Sequence, residues 1–262
     1  MRSIAIMNQK GGVGKTTTAV NVSAALAAGG FKVMLIDLDP QAHATLHFGI
    51  DTQAEGTSVY DVLIGKLKIR DVRQEVADNL FLIPAHLDMV GAEIELASAV
   101  GREIILRDEI LEDDMTFDYL IIDCPPSLGL FTLNALTSVN EVFVPLQPHY
   151  FSLHGLTRLF DTLEVVARRL NKNLKLSGIL LTMFDHTVMS AEVAENVVSF
   201  FSNRERLPKV CADAYLFKTK IRKNVKLTEA PSHGKPIFGY DNHSTGAEDY
   251  RSLAAEIIGQ NK

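Results

Sequence analysis

Asn8-Gln9-Lys10-Gly11-Gly12-Val13-Gly14-Lys15-Thr16-Thr17-Thr18 lies between a short apolar run, Ser3–Met7 (SIAIM), and a longer amphipathic one, Thr16–Ala28 (TTTAVNVSAALAA). The placement decides as much as the letters. A buried strand that enters a glycine-rich turn and then a helix N-terminus makes a cradle for an anion. The glycines let backbone N–H groups turn inward, and the helix start adds the positive end of its dipole. Gly11, Gly12, Val13, Gly14, Lys15, Thr16 and Thr17 are therefore the expected nucleotide-binding residues, with ATP, ADP and Mg²⁺ as ligands. Lys15 is placed to reach the outer phosphates and the Thr16 hydroxyl to complete the coordination of Mg²⁺. One letter departs from the pattern G-x-x-x-x-G-K-[ST]: the first glycine falls at position 9, where this chain has Gln9. A second lysine, Lys10, stands at the mouth of the loop instead. Either both lysines serve one site, or one reaches the nucleotide of a neighbouring subunit.

Working outward, short apolar runs alternate with longer amphipathic ones, the pattern of a parallel sheet with helices on both faces. After the first helix, Gly29-Gly30 gives a C-terminal stop. Phe31–Asp37, Asn79–Ile83, Phe117–Cys124, Glu141–Leu146 and Leu176–Met183 read as further strands. Helices are expected over 90–112, 129–138, 153–170, 190–202 and 245–258. The fold class is α/β, a P-loop NTPase with a mostly parallel twisted sheet in three α/β/α layers. Neither an internal repeat nor a low-complexity linker interrupts residues 1–262, which read as one domain.

Two acidic motifs close predicted strands. In a parallel sheet the carboxyl ends of the strands face the ligand crevice. Asp37-Leu38-Asp39-Pro40-Gln41 ends the second strand, and Asp123 ends Leu120-Ile121-Ile122. Asp123 reads as the Walker-B acid contacting a Mg²⁺-bound water. Asp39 is placed to orient or activate the attacking water, so Thr16, Asp39 and Asp123 form the expected metal-side set, and Lys15 and Asp39 are catalytic candidates. Cys124–Gly129 (CPPSLG) looks like a switch segment able to sense the γ-phosphate.

Composition bounds the alternatives. The 262 residues are 47% hydrophobic and 22% charged, enough apolar material for a core without disulfide or metal staples. Cys124 and Cys211 show no CxxC or Cys/His ligand spacing and read as reduced thiols. The eight histidines lack ligand spacing, so no metal beyond Mg²⁺ is expected; His43 and His47 lie four apart with no third ligand nearby. No signal stretch and no run approaching about 18 apolar residues is present, which places the protein in the cytoplasm with no membrane contact. The net charge of −6 argues against nucleic acid only on average. Lys218, Lys220, Arg222, Lys223 and Lys226 put five basic residues in nine with no acid among them.

KGGVGKTTT, DLDPQAHAT, LIIDCPPSLG and NVKLTEAPSHGKPI, in this order and spacing, resemble the ParA/Soj family, the deviant-Walker-A ATPases of chromosome and plasmid partitioning. The resemblance runs from Ile4 to about Ile258. It implies a homodimer that sandwiches two ATP molecules, binds double-stranded DNA without sequence preference, and is released by slow hydrolysis that a ParB-like adaptor stimulates. It also implies a cytoplasmic, nucleoid-associated location. Lys10 matches the signature lysine that crosses to the partner subunit's phosphates, Lys15 the P-loop lysine, Thr16 the Mg²⁺ ligand and Asp39 the residue required for hydrolysis, so the resemblance implies the catalytic set Lys10, Lys15 and Asp39. Gly11 falls at the closely packed dimer contact. Lys223 and Lys226 match basic positions of the family's RNVR segment, with Lys220 beside them, and Lys223 matches an arginine implicated in DNA contact. Asn224 matches a position that contacts the nucleotide base.

Two departures bear on these implications. The family's proline next to the base position is Arg222 here. Its D-x-R-T-N-L segment reads Asp185-His186-Thr187-Val188-Met189, without the arginine, which puts a further DNA contact in doubt. Arg168, Arg169, Lys172 and Lys175 are the candidates to replace it. With the first strand starting at Ser3, no N-terminal DNA-binding domain is expected. A MinD-like membrane switch would need a basic amphipathic C-terminal helix, and the tail LAAEIIGQNK carries one terminal lysine. An iron–sulfur reductase would need cysteine ligands in other loops. Family members that position another cargo, such as a chemoreceptor cluster or a protein compartment, remain the alternative.

Overall fold

The computed structural model describes residues 1–52, 56–148, 156–185, 187–202 and 207–260. In chain order the first elements are β1 (Arg2–Ile6), α1 (Lys15–Ala28), β2 (Val33–Asp37), α2 (His43–His47), α3 (Val59–Leu63) and α4 (Ile69–Val72). β3 (Gln74–Ala77), β4 (Leu80–Ile83), α5 (Met89–Glu95), α6 (Ile105–Leu111), β5 (Tyr119–Asp123) and α7 (Leu130–Ser138) follow. The remainder is β6 (Glu141–Leu146), α8 (Leu156–Arg169), β7 (Lys175–Leu181), α9 (Val188–Ser202), β8 (Tyr215–Leu216), α10 (Val225–Glu229), α11 (Ile237–Tyr240) and α12 (Thr245–Gly259). Among the described residues no helix is long and apolar enough to cross a membrane.

The strands form a sheet in the order β3-β4-β2-β5-β1-β6-β7-β8. Every pairing is parallel except β3 with β4 at one edge. The central strands read as continuous apolar runs because both their faces are covered. Ala5, Met34, Ile36, Leu120 and Ile122 point into one apolar cluster, with Phe131 of α7, Leu159 and Leu163 of α8 and Val197 of α9. Their neighbours Ile4, Ile6, Val33, Leu35 and Ile121 point the other way, against Val20 and Leu26 of α1 and Tyr250, Leu253 and Ile257 of α12. This period-two split across one sheet gives the three layers expected.

Strand register positions the site. Ile6 pairs with Asp123, and Asp123 pairs with Asp37. The carboxyl ends of β1, β5 and β2 therefore stop level with one another, beside the loop that leaves β1.

Differences from the sequence reading fall at edges and interruptions. The helix expected over 90–112 is broken: α5 passes through a 3-10 turn at Leu96–Ser98, and α6 restarts at Ile105. Gly101 takes a positive φ of 71° in the gap. The buried Asn134 on α7 holds that turn, donating from Nδ2 to the Arg102 carbonyl (2.7 Å) and accepting from the Leu106 amide (3.1 Å). β3 and β8 were not anticipated; they are short edge strands with little apolar signal. The first residues of the helix expected over 153–170, and His186, lie outside the described residues.

Candidate functional site

The loop from β1 to α1 is clamped from three sides. Asn8 is buried and donates from Nδ2 to the Pro145 carbonyl at the end of β6 (2.8 Å), while its Oδ1 accepts the Lys10 amide (3.0 Å). The Thr182 hydroxyl, just past β7, donates to the Val13 carbonyl (2.8 Å). Asn21 on α1 donates to the Thr17 carbonyl and accepts the Ile237 amide, each at 2.8 Å. Gly12 and Gly14 turn the backbone at φ 73° and 84°, in the left-handed region where a side chain would be strained. Gly14 is the residue from which α1 starts, and no side chain caps the helix there. The first N–H groups of α1 are thus left for a ligand.

The two lysines of the loop part company. Lys15 is buried and its Nζ donates to the Lys10 carbonyl (3.4 Å), inside the curl of the loop. Lys10 is exposed, and among the described residues its ammonium makes no hydrogen bond or ion pair. The cleft that the loop borders has a volume of about 580 Å³. Gly11, Gly12, Gly14, Lys15, Thr16, Thr17 and Asp39 line it on the phosphate side; Val13, buried beneath the loop, and Lys10 do not. Across the opening stand Met183, Lys223, Asn224, Leu227, Thr228, Pro231 and Tyr250.

Three carboxylates gather at the strand ends under the loop. Asp37 is fully buried; Oδ2 accepts the Thr45 amide and the Thr45 hydroxyl, both at 2.8 Å, and Oδ1 accepts the Asp39 amide (3.2 Å). Burial pushes its carboxyl up to about 6 in spite of these donors. Asp39 is buried at the cleft wall, and its Oδ1 accepts the Gln41 amide (3.0 Å). Asp123 is fully buried, and neither oxygen has a hydrogen-bond partner among the described residues. Burial first, then the neighbouring Asp37, holds its carboxyl well above the usual range. The Thr16 side chain and the Lys15 charge oppose this only in part. An orphaned buried carboxylate is costly. One that sits beneath a hydroxyl and a lysine in a phosphate cradle fits a hydrated divalent cation. Among the described residues no group of three or more His, Cys, Asp or Glu side chains is arranged to hold a metal by itself. Such a cation would need Thr16, water and phosphate oxygens for most of its shell.

The residues expected to meet DNA lie at the far lip of this cleft, and their charges are unequal. Lys223 is exposed at the cleft wall. Lys226 is ion-paired to Glu229 (2.9 Å), and the Lys220 ammonium sits 4.2 Å from the centre of the Phe184 ring. Arg222 is consumed locally. Its guanidinium reaches Asp249 (2.6 Å) and Glu248 (2.7 Å) on α12, and its amide donates to Asp249 as well (2.8 Å). The run of basic residues free of acids in sequence is thus partly neutralised by acids from another helix. Asn224 caps α10, accepting the Lys226 amide (2.7 Å), and donates to the Thr245 hydroxyl (2.5 Å), so both ends of its amide are engaged.

Asp37, Thr45, Asn8, Asn21 and Thr182 were not singled out from sequence. Asp37 had a signal, since it closes β2 in the same motif as Asp39. The others act on backbone groups far along the chain and leave no local pattern.

The family model described as AAA domain matches residues 1–176. The chain is 45% identical over 259 residues to the chromosome-partitioning ATPase Soj of Treponema pallidum, covering 98% of this chain and 97% of that one. It is 42% identical over 267 residues to the chromosome partitioning protein ParA of Caulobacter vibrioides, covering 100% and 96%. Among solved structures, cobyrinic acid a,c-diamide synthase from Mycobacterium smegmatis with bound ADP and magnesium superposes with a TM-score of 0.82 at 35% identity, over 98% of this chain and 94% of that one. A relationship of this strength along the whole length, on a fold whose strand ends build a phosphate cradle, means that this chain belongs to the ParA/Soj family of chromosome-partitioning ATPases.

Proposed function

We propose that this chain is a single-domain ATP-operated switch that dimerises with ATP bound, holds non-specific duplex DNA as the dimer, and lets go after hydrolysis. The observation that carries this reading is the division of labour between Lys15 and Lys10. Lys15 lies within its own cradle, whereas Lys10 stands exposed at the loop mouth, outside the cleft, its ammonium without a partner among the described residues. A lysine so placed suits the phosphates of a facing subunit's nucleotide, and ATP would then tighten the dimer by binding it preferentially.

ATP and ADP would lie along the loop with their phosphates against the amides of Gly11 to Thr17, and the base toward Asn224, Thr228 and Pro231. Mg²⁺ would supply charge neutralisation at the transferring phosphoryl group. The residues suited to hold it are Thr16 directly and Asp123 through water, with Asp39 orienting the attacking water. Of the DNA candidates, Lys223 is exposed at the cleft wall with Asp185 as its acidic neighbour, and Lys220 and Lys226 flank it. One subunit's patch is small, and pairing two subunits doubles the phosphate contacts. A ParB-like adaptor is the expected stimulator.

The test is the sedimentation behaviour of the chain with ATP, ADP or no nucleotide, beside Lys10→Ala. Dimers with ATP that are lost in Lys10→Ala, with ATP binding retained, would support the reading. ATP-independent dimers, or dimers indifferent to Lys10, would refute it.

A further inference from the structure

α2 lies between the two ends of the nucleotide cleft and is fixed to both. At its first end it follows directly from the Asp39 turn. The Ala42 amide donates to the Asp39 carbonyl (2.8 Å), and Ala42 itself takes a positive φ of 53°. Thr45 then locks the helix to the strand ends. It donates to Asp37 from amide and hydroxyl, and its hydroxyl accepts the Ala85 amide (2.9 Å). Asp39, Gln41 and His43 from this stretch line the cleft.

At its second end α2 packs on the 3-10 turn Ala230–His233, which carries the cleft residue Pro231. The His47 ring is buried beside the Lys235 backbone, and its Nε2 has no hydrogen-bond partner among the described residues. Beyond it, Gly49 (φ 74°) meets Gly234 (φ 63°) backbone to backbone. A Cβ on Gly234 would lie 3.0 Å from the Gly49 Cα and 3.3 Å from its nitrogen, so the contact has no slack. A second tie, from Asn21 on α1 to the Ile237 amide, keeps this turn from swinging away as a unit.

A five-residue helix is only about 7 Å long, and packed backbone passes on a displacement rather than absorbing it. We propose that the contact of His47 and Gly49 with Gly234 and Lys235 is a mechanical link through which a base seated against Thr228 and Pro231 sets the Asp39 turn, so that the rate of hydrolysis, and not only affinity, depends on the base. His47, Gly49 and Gly234 are positioning residues in this account, and Thr45 is its anchor at the catalytic end. The proposal rests on the reading that Asp39 serves hydrolysis and that the base occupies the 224–231 wall.

The experiment compares kcat and KM for ATP with those for ribose 5′-triphosphate, which has the phosphates and sugar but no base. Both are measured with Mg²⁺ at protein concentrations where specific activity no longer rises. With the unaltered chain, kcat for the base-free triphosphate should be lower by about tenfold at saturation, in addition to a raised KM. In Gly234→Ala, which forces the two backbones apart, kcat for ATP should fall to within about twofold of the base-free value, while the base-free kcat stays where it was. His47→Leu, which replaces the ring packed beside Lys235 at similar volume, gives the same comparison should Gly234→Ala fail to fold. A raised KM with equal kcat for the two triphosphates overturns the link and leaves the base seat standing. Equal KM as well as equal kcat overturns the base seat itself. A variant that lowers both kcat values by the same factor shows a general defect and also overturns the link.

Discussion

Asp37 and Asp123 are register partners on neighbouring parallel strands, both fully buried, and among the described residues neither carboxylate forms an ion pair. Their environments differ in one respect that matters. Asp37 receives three hydrogen bonds from its own chain segment, and Asp123 receives none from the described residues. One carboxylate is therefore satisfied by the fold, and the other is not.

Asp123→Asn should stabilise the nucleotide-free protein while weakening Mg²⁺-dependent nucleotide binding. Where the carboxyl is ionised, the neutral amide relieves a desolvation cost on the order of 1–3 kcal/mol, and each kcal/mol moves Tm by about 2–4 °C in a chain of this size. Thermal unfolding without nucleotide is the check. A lower Tm than the parent would show that Asp123 contributes to folding and is not a reserved ligand.

Thr45→Val keeps the volume but takes a donor from Asp37 and an acceptor from the Ala85 amide, both buried. A loss of about 2–3 kcal/mol in urea unfolding is expected, with Thr45→Ser recovering most of it. If the valine variant is as stable as the parent, Asp37 is not held as described.

His47 links stability to pH. Burial lowers its pKa from 6.5 to about 4, so the native state resists the proton that the unfolded chain accepts. The sign follows: above about 6.5 the ring is neutral in both states and nothing is lost, and stability falls as pH drops from about 6.5 to 4. The total is about 3 kcal/mol at most. His47→Leu should flatten this part of the stability–pH curve. An unchanged slope would place the acid-sensitive group elsewhere.

Charge reversal should rank the basic residues by their freedom. Lys223→Glu removes an exposed cation, whereas the Lys226 ammonium already faces Glu229. DNA affinity should fall further for Lys223→Glu than for Lys226→Glu, with a smaller salt slope. Equal effects, or none, in filter binding would move the DNA surface away from this lip.

Much of the framework was legible in the sequence because its carriers are local. The apolar runs of β1, β2 and β5 end in a glycine-rich turn or a carboxylate, and those letters alone mark a phosphate crevice. What escaped depends on distant partners. The reading of 90–112 as one helix failed because Gly101 turns the chain and Asn134, on another helix, holds the turn. The basic run at 218–226 holds no acid in sequence, and Asp249 and Glu248, more than twenty residues on, take up Arg222. Thr45 reads as an ordinary helical residue until Asp37 and Ala85 are seen against its hydroxyl.

Binding to random-sequence duplex DNA with ATP, with ADP and without nucleotide, each across a salt series, tests the central claim most directly. The account predicts tight, steeply salt-dependent binding with ATP alone. Binding that is the same in all three states, or absent from all three, would contradict it.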